Sequence, residues 1–327
     1  MSKIYKLSLK QKSGLLTPLQ SDTIFGHFCW RFLEANGENA LTEFLDLYKN
    51  NNPVFTLSNG LLEVNGEVLF PKPLKLPPYV SSNNTKKDKI KNFLINKELK
   101  GRSYITAEEL NLYINNDTEN FRESFAKKVN FEIPKVETNL RVSVQIDRET
   151  NRSADGQLFS YSPSYLKANN KIANFAILIK VIDENNFKKY NVESLLINTF
   201  ELGYGKKKSS GYGEFKFISF SEYNKIKEPI DSTAFINYSN YLPSDDDKII
   251  DGFFETSLKY GKLGEVFSNS ENPFKQPILF LKEGSLFYTK IKKDYYGRIT
   301  KQSEINSAKP DTVQCGFSFS LKTIIKD

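Results

Sequence analysis

The sequence predicts an α+β protein of two ferredoxin-like (RRM-like) domains with antiparallel sheets, the second degenerate and the first carrying a long insertion. Three observations support this prediction. The first 220 residues read as strand, helix, strand or hairpin, insertion, strand, helix, strand, which is the βαββαβ order. The remaining residues are mostly strand-like. A length of 327 residues fits about two domains, and 26 Phe and 17 Tyr favour sheets.

The first strand and helix are marked by their apolar patterns. Apolar residues alternate with polar ones over the first ten positions, which predicts a strand. The stretch "SDTIFGHFCWRFLEANG" is predicted to follow as a helix, with Ser21 as its N-cap and Asn36-Gly37 as a stop signal. A second helical segment covers 40–48. Two Asn-Gly turn signals in "VFTLSNGLLEVNGEVLFP" predict hairpin strands.

The middle of the chain differs in composition from the segments before it. Residues 71–140 start rich in Pro, Lys and Asn, so we interpret them as a partly mobile insertion with some helix, outside the core. Alternation in 139–147 predicts a strand that a polar turn folds back into a hairpin. The apolar run 171–182 predicts a buried strand, and 191–202 has helical spacing. A glycine-rich loop and the strand 214–220 complete the first domain.

Strand-like segments open and close the rest of the chain, as in "AFINYSNYL" and "VQCGFSFSLKTII". The predicted domains are therefore 1–225, with the insertion at about 71–140 and the glycine-rich loop at 203–213, and 226–327 for the degenerate copy.

Charge and cysteine content narrow the class of protein. A net charge of +7 and a pI near 9.0 favour an acidic partner such as nucleic acid. Cys29 and Cys315 are isolated, and there is a single His, so neither a disulfide framework nor a Cys/His metal site is expected, and we predict no cofactor. A reduced, cytoplasmic protein is the natural interpretation. The N-terminal stretch lacks the apolar core of a signal peptide, and no segment approaches the roughly 20 apolar residues of a membrane span.

The loop "ELGYGKKKSSGYGEFKF" carries the main candidate site. It lacks the spacing of a phosphate-binding P-loop, and it leaves a helix and enters a strand, which is the reverse of that motif. The dinucleotide motif fails because Lys208 occupies the place of its third glycine. "SGYGEFKF" matches the RNP1 signature of RNA-binding domains only in part.

The chemistry of the loop nevertheless suits a polyanion held by its backbone. Glycines allow close approach and positive φ, successive N–H groups can form a nest, and lysines and serines add charge and donors. A solvated basic connector is the alternative. The candidate residues are Gly203, Gly205, Lys206, Lys207, Lys208, Ser209, Ser210, Gly211, Tyr212 and Gly213.

An arginine-rich hairpin is the second candidate. Arg141, Arg148 and Arg152 lie on and around one predicted hairpin, where they could bind phosphates and stack on bases. Surface salt bridges to Asp147, Glu149 or Asp155 are the alternative. Asp245, Asp246 and Asp247 favour the first turn of a short helix capped by Ser244 rather than a metal site.

His27 lies on the polar face of the first predicted helix, together with Thr23, Arg31 and Glu34. A histidine in this position could be solvated, could bind RNA, or could act as a general base in RNA cleavage. The sequence indicates no second acid or base to work with it.

Several of these segments together resemble a known family. A helix, a glycine loop and a strand inside a ferredoxin-like domain resemble the RAMP proteins of CRISPR systems. "LQSDTIFGHFCWRF" (19–32), "RVSVQIDRETNRSADGQLF" (141–159), "FLKEGSLF" (280–287) and "DTVQCGFSFSL" (311–321) resemble subunit four of type III-A Csm complexes. The resemblance touches most of the chain except 71–140. The family's His-Pro-Val-Tyr-Arg run is replaced here by "DTVQCGF".

The resemblance implies a function. It implies a non-catalytic subunit that grips the 5′ tag of the crRNA and contacts the large polymerase/cyclase subunit and the first backbone subunit. It adds Ser21 and Asp22 to the RNA-binding candidates, beside His27, Arg31, Arg141 and Arg148. Two alternatives remain open: a metal-independent crRNA-processing endoribonuclease using His27, and a protein-interaction module whose loop contacts an acidic protein surface.

Overall fold

The first strand lies inside a large antiparallel sheet of the computed structural model, which describes residues 2–77, 86–125, 133–168, 171–264, 267, 272–305 and 312–325. The strands are β1 (Ile4–Gln11), β2 (Phe55–Leu57), β3 (Leu61–Val64), β4 (Glu67–Pro71), β5 (Tyr104–Ile105), β6 (Lys135–Thr138), β7 (Arg141–Ile146), β8 (Ser153–Tyr161), β9 (Ser164–Ala168), β10 (Lys171–Ile172), β11 (Asn174–Val181), β12 (Phe215–Glu222), β13 (Ala234–Asn237), β14 (Ile249–Phe253), β15 (Thr256–Lys259), β16 (Ile278–Leu281), β17 (Leu286–Thr289) and β18 (Ser320–Thr323). The helices are α1 (Ser21–Lys49), α2 (Lys86–Gly101), α3 (Ala107–Ile114), α4 (Thr118–Ser124), α5 (Glu184–Lys189), α6 (Val192–Glu201) and α7 (Gln302–Ile305).

The largest sheet has the strand order of a ferredoxin-like domain. Its order is β12-β1-β11-β3-β4-β5, and β2 also pairs with β11. β1 is antiparallel to both β11 and β12, and β11 is antiparallel to β2 and β3. If β1, β3, β11 and β12 are numbered one to four as the strands of βαββαβ, the order across the sheet is four-one-three-two. Helix α1 follows the first of these strands, and α6 precedes the last. The predicted fold class is confirmed.

The two faces of this sheet are covered by different elements. Leu7 and Ile177 belong to a cluster that packs on α1, α5 and α6. Ala176 and Leu178, one position along the strand, belong to a second cluster on the opposite face. The period of two in a strand explains why β11 reads as an almost continuous apolar run.

Helix α1 differs from its predicted form at its start. The structure places the N-cap at Gln20, which makes no side-chain cap hydrogen bond, so that prediction was wrong by one residue. The Ser21 Oγ instead accepts a hydrogen bond from the Asn240 N–H at 3.0 Å. The predicted interruption is present as a kink, because Gly37 has φ 84° and ψ 173° inside the helix. The helical segment predicted over 40–48 is its second half.

The insertion contributes to the core, which contradicts the prediction from its composition. Ile95 and Leu99 of α2, Leu110 and Ile114 of α3 and Phe121 of α4 are buried in the second cluster. That cluster also contains Phe319 and Leu321 near the C-terminus, so the insertion fills space between the two sheets. A helix whose few apolar residues are spaced among many lysines looks polar in sequence, because the surface that buries those apolar residues is not visible there.

The C-terminal sheet keeps the ferredoxin order without its long helices. Its strand order is β14-β17-β13-β18, all antiparallel, which is two-three-one-four along the chain. Within the described residues, the usual helix positions hold a 3-10 turn at Asp245–Asp247 and the four-residue α7. The second domain is therefore degenerate in the sense that it keeps the strand order and has only short helical elements between its strands. The position of the boundary at 225 stays a prediction.

The three consecutive aspartates form a capped turn, as expected. Ser244 Oγ accepts a hydrogen bond from the Asp246 N–H, and the Asp247 carboxylate accepts one from the Ser244 N–H. Asp247 is buried and also accepts from the hydroxyl of Tyr241 at 2.8 Å. The described residues contain no group of His, Cys, Asp and Glu arranged to hold a metal ion.

Helices long and apolar enough to cross a bilayer are not found in the described ranges.

Candidate nucleic-acid interface

The glycine-rich loop 203–213 connects α6 to β12 through a series of left-handed turns. The φ angles of Gly203, Gly205, Gly211 and Gly213 are 88°, 79°, 82° and 71°, and that of Lys207 is 59°. Residues with a Cβ are strained in this region, which explains the glycines. A single 3-10 turn, Lys208–Ser210, forms the tip of the loop.

The two Gly-Tyr-Gly units meet at the base of the loop. The Tyr204 N–H donates to the Gly213 carbonyl at 2.8 Å, and the Gly213 N–H donates to Gly14 at 3.0 Å. A Cβ on Gly213 would lie 1.9 Å from the Tyr204 carbonyl oxygen, so no other residue fits there without movement of the backbone. The Tyr204 ring is buried, and its hydroxyl donates to Pro18 at 2.7 Å. The repeated tripeptide is therefore the closed neck of the loop.

His27 of α1 fixes the next part of the loop. Its Nε2 accepts a hydrogen bond from the Gly205 N–H at 3.1 Å, and its ring lies 5.0 Å from that of Tyr204. The Lys206 N–H donates to Thr17 Oγ1 at 2.9 Å. The predicted His27 and the glycine loop therefore belong to one site.

Most amides of the loop are engaged inside the protein. The N–H groups of Gly203–Lys206 and of Ser210–Gly213 all donate to protein acceptors. These amides are not available to a phosphate, so the nest expected from the glycines does not form from them. An anion would instead meet the exposed Lys206 side chain and the exposed Ser209 and Ser210.

Lys207 points from the loop onto the predicted hairpin. Its Nζ lies 3.7 Å from the ring centroid of Tyr161 and 4.7 Å from that of Phe159, both on β8. These are cation–π distances. The Tyr212 hydroxyl donates to that of Tyr161 at 3.4 Å, with the two rings perpendicular at 5.6 Å. Loop and hairpin therefore form one surface, and Tyr161 is its centre.

Arg141 joins this surface, because it pairs directly with Tyr161 in the register of β7 and β8. Arg148 lies in the turn at the far end of the hairpin, so the structure does not bring it to the loop. No ion pair of Arg141 or Arg148 is found among the side chains that the structure describes. The alternative partner Asp155 has a side chain outside the described residues.

The hydroxyl of Tyr161 is shifted in pKa by its neighbours on this surface. Hydrogen bonds from Ser143 and from Tyr212, followed by the positive charges of Lys207 and Arg141, lower the pKa of Tyr161 below its ordinary value of 10. The same hydrogen bond with Tyr161 raises the pKa of Tyr212. Two donated hydrogen bonds and two nearby cations all favour the ionised form of the Tyr161 phenol, which is why its pKa is lowered.

The hairpin also exposes apolar side chains, which the sequence did not indicate, since alternation predicts one buried face. Among the described strands, β7 and β8 form a separate two-stranded sheet. Large exposed side chains on and beside them are Leu140, Val142, Val144, Ile146, Leu158 and Phe159.

Phe159 and Tyr161 were missed as site residues. Their spacing of two places both aromatic rings on one face of a strand, and that spacing in "QLFSYSP" was the available signal.

Ser21 and Asp22 occupy a different environment from the loop. Both are buried where α1 meets the C-terminal part of the chain. The Asp22 carboxylate accepts hydrogen bonds from Asn240 Nδ2 at 2.8 Å and Gln314 Nε2 at 2.7 Å, and forms an ion pair with Lys259 at 2.6 Å. The structure therefore does not place Ser21 and Asp22 on the surface made by loop and hairpin.

Arg31 lies one turn beyond His27 on α1. Its Nη1 forms an ion pair with Glu34 at 2.6 Å, and most of its side chain is shielded from solvent. Arg31 therefore lies near His27, which holds the glycine loop, and Glu34 balances part of the Arg31 charge.

Known proteins share this architecture. A family model described as the RAMP superfamily matches residues 8–216, which include the helix with His27, the hairpin and the glycine loop. No curated protein matches the chain.

Solved structures match over almost the whole chain. One is from a Csm3–Csm4 subcomplex of a type III-A CRISPR-Cas interference complex, at 17% identity and a TM-score of 0.60, covering 98% of this chain and 100% of that one. Another is from a Csm1–Csm4 cassette in complex with pppApA, at 14% identity and a TM-score of 0.58, covering 99% of each chain. Csm4 is the component common to both assemblies. At these identities the likeness shows a shared fold, and the family model, which spans more than half of the chain, shows that the protein belongs to the RAMP superfamily.

Proposed function

We propose that the chain is the crRNA-binding subunit of a type III-A CRISPR ribonucleoprotein, which grips the 5′ tag of the guide RNA and bridges the large subunit to the backbone filament in antiviral defence. In this role it has no chemistry of its own. The observation that carries the proposal is the meeting of the loop with the hairpin at Tyr161, where Lys207 and Arg141 converge.

The two halves of this surface suit the two parts of an RNA strand. Lys206, Ser209 and Ser210 are exposed at the loop and can contact phosphates, which position the strand without reading its sequence. The exposed Phe159 and the apolar side chains of the hairpin offer platforms for unstacked bases. A single-stranded tag fits this combination better than a duplex, whose bases are already stacked.

The partner subunits are inferred from the shared fold. The matched structures are assemblies of Csm4 with Csm3 and of Csm4 with Csm1, and the fold is shared over nearly the full length of this chain. A backbone subunit and a large subunit are therefore the proposed neighbours.

Binding is favoured over cleavage by the environment of His27. A general base needs an unshared electron pair facing the substrate hydroxyl. Here Nε2 accepts the Gly205 N–H, so this nitrogen supports the loop that would hold the RNA.

The deciding experiment compares binding and cleavage on the same RNAs. We expect the chain to bind an RNA carrying the 5′ tag more tightly than an RNA of permuted tag sequence, measured by fluorescence anisotropy. We expect repeat RNA to stay intact on denaturing gels, for the wild-type chain and for His27→Ala. Specific cutting that disappears in His27→Ala would replace the proposed function by an endoribonuclease activity.

A tyrosine titration provides an independent test of the surface. We expect Tyr161, assigned with a Tyr161→Phe variant and observed by NMR of ¹³Cζ-labelled tyrosine, to titrate below 10. Ser143→Ala should raise this pKa most, because that hydrogen bond is its main cause, and Lys207→Ala should raise it less.

Tag RNA should also raise the pKa of Tyr161, since phosphates that bind Lys207 and Arg141 cancel part of the positive charge. A pKa unchanged by saturating RNA would mean that the strand binds elsewhere.

A further inference from the structure

Helix α2 of the insertion exposes an apolar surface that the proposed RNA contacts do not use. Ile90, Phe93 and Leu94 are 54%, 69% and 54% exposed. Their spacing of three and four places them together on one face of the helix. The exposed charged residues that flank this face are Lys86, Lys89, Lys97, Lys100 and Glu98, so its net charge is positive. We call the three apolar residues and these charged residues the α2 outer face.

The opposite side of α2 holds the helix firmly against the core. Ile95 and Leu99 are buried in the second cluster. Arg122 of α4 donates to Asn96 at 2.7 Å. The α2 outer face is therefore presented by a fixed helix.

An internal ion pair secures the end of the helix. Just after α2, Arg102 forms two hydrogen bonds to the buried Glu109, at 2.9 and 2.7 Å, and stacks on Phe125 at 4.4 Å. A surface held in this way needs little ordering when a partner binds.

The position of α2 separates it from the RNA surface. α2 leads directly into β5, which is one edge strand of the large sheet, whereas the glycine loop leads into β12, the opposite edge. Ile90 and Leu94 also lack the flat faces on which bases stack. Both points argue for a protein on this face, not a nucleic acid.

We infer that the α2 outer face docks into an apolar groove with a carboxylate rim on a neighbouring protein subunit of the assembly. An amphipathic helix laid into a groove uses anchors at this spacing. The lysines around the anchors match a rim of Asp and Glu, which adds specificity and speeds association. A second copy of this chain fits poorly, because two faces of net positive charge repel. The inference rests on the proposed function, since it assumes assembly with other subunits.

The test uses the complete assembly, made by co-expressing this chain with its large subunit, backbone subunit and guide RNA. A carbodiimide joins a lysine Nζ to a carboxylate as an amide and itself takes up the water lost, becoming a urea, and it does so only where the two groups are in contact. We expect mass spectrometry to find such links from Lys86, Lys89 or Lys97 to Asp or Glu of one neighbouring subunit. Phe93→Asp should remove these links and reduce co-purification of that subunit more than about tenfold.

Ile230→Asp is the matched control, because Ile230 is 82% exposed outside α2 and the substitution adds the same charge. It should leave the links and the co-purified subunits unchanged. An assembly in which wild-type α2 gives no links and Phe93→Asp changes nothing would overturn the inference. Loss of RNA with all subunits retained would overturn it in favour of a nucleic-acid contact.

Failure of the proposed function is distinguishable from failure of this inference. A wild-type chain that joins the assembly but does not bind tag RNA contradicts the RNA role, while the links from α2 still support the docking face. A wild-type chain that does not join the assembly contradicts both.

Discussion

Replacement of Lys206, Lys207 and Lys208 together by alanine is expected to weaken binding of the tag RNA about fifty-fold at 0.15 M salt. Each phosphate neutralised on a single strand contributes about 0.7 to the slope of log affinity against log salt, so three lost contacts reduce the slope by about 2. The loop has few other means of holding an anion, because most of its amides already donate inside the protein. Anisotropy titrations between 0.05 and about 0.4 M salt measure both quantities.

The matched control removes the same charge from the other edge of the sheet, with Lys86, Lys89 and Lys97 of α2 replaced by alanine. If net charge alone attracts RNA, both triple variants lose affinity equally. We expect the α2 variant to bind tag RNA nearly as well as the wild-type chain. Unchanged affinity of the loop variant at every salt concentration would favour the protein-interaction alternative for the loop.

The sheet was predictable because its strands carry their own signals. The run 171–182 was predicted as a buried strand, and the structure has β11 at Asn174–Val181, covered on both faces. Helix α6 was predictable from apolar spacing alone. Order along the chain then determined the sheet, since the βαββαβ pattern allows few arrangements.

The insertion was not predictable in the same way. Its buried residues, such as Ile95 and Leu110, are spread among lysines and asparagines, and the cluster that buries them draws residues from both sheets, some of them far away in sequence. The composition of a helix averages its polar, solvent-facing residues with its apolar, packed ones, so a lysine-rich helix looks polar even when one side of it is buried. A segment of this kind can be assigned to the core only once the partner surface is known.

In the candidate site, too, features of single residues were predictable and contacts between distant segments were not. Glycine and lysine content indicated the loop, because positive φ and positive charge are properties of single residues. The contact of Lys207 with Tyr161 depends on two segments meeting in space, so the sequence placed them in separate candidates. The engagement of His27 with Gly205 was hidden for the same reason.

Asp22→Ala is expected to destabilise the protein by about 3–5 kcal/mol, the cost of breaking a buried ion pair from one side. Lys259 would lose its partner, and the side-chain amides of Asn240 and Gln314 would lose their acceptor. Nearby, burial lowers the pKa of Lys275, and the negative charge of Asp22 opposes that shift. Without Asp22, two lysines therefore face each other in a poorly solvated space.

Urea unfolding of the variant measures this loss, and Lys259→Met provides the double-mutant cycle. We expect the double variant to lose less stability than the two single changes added together, because removing both charges leaves no unpaired ion.

RNA affinity, measured where Asp22→Ala is still folded, should stay close to that of the wild-type chain. A folded Asp22→Ala protein with normal stability and weakened tag binding would instead support the RNA contact that the family resemblance implies. The buried position of Asp22 between α1 and the C-terminal residues favours the first result, since a carboxylate there joins the two parts of the chain and would repel a phosphate.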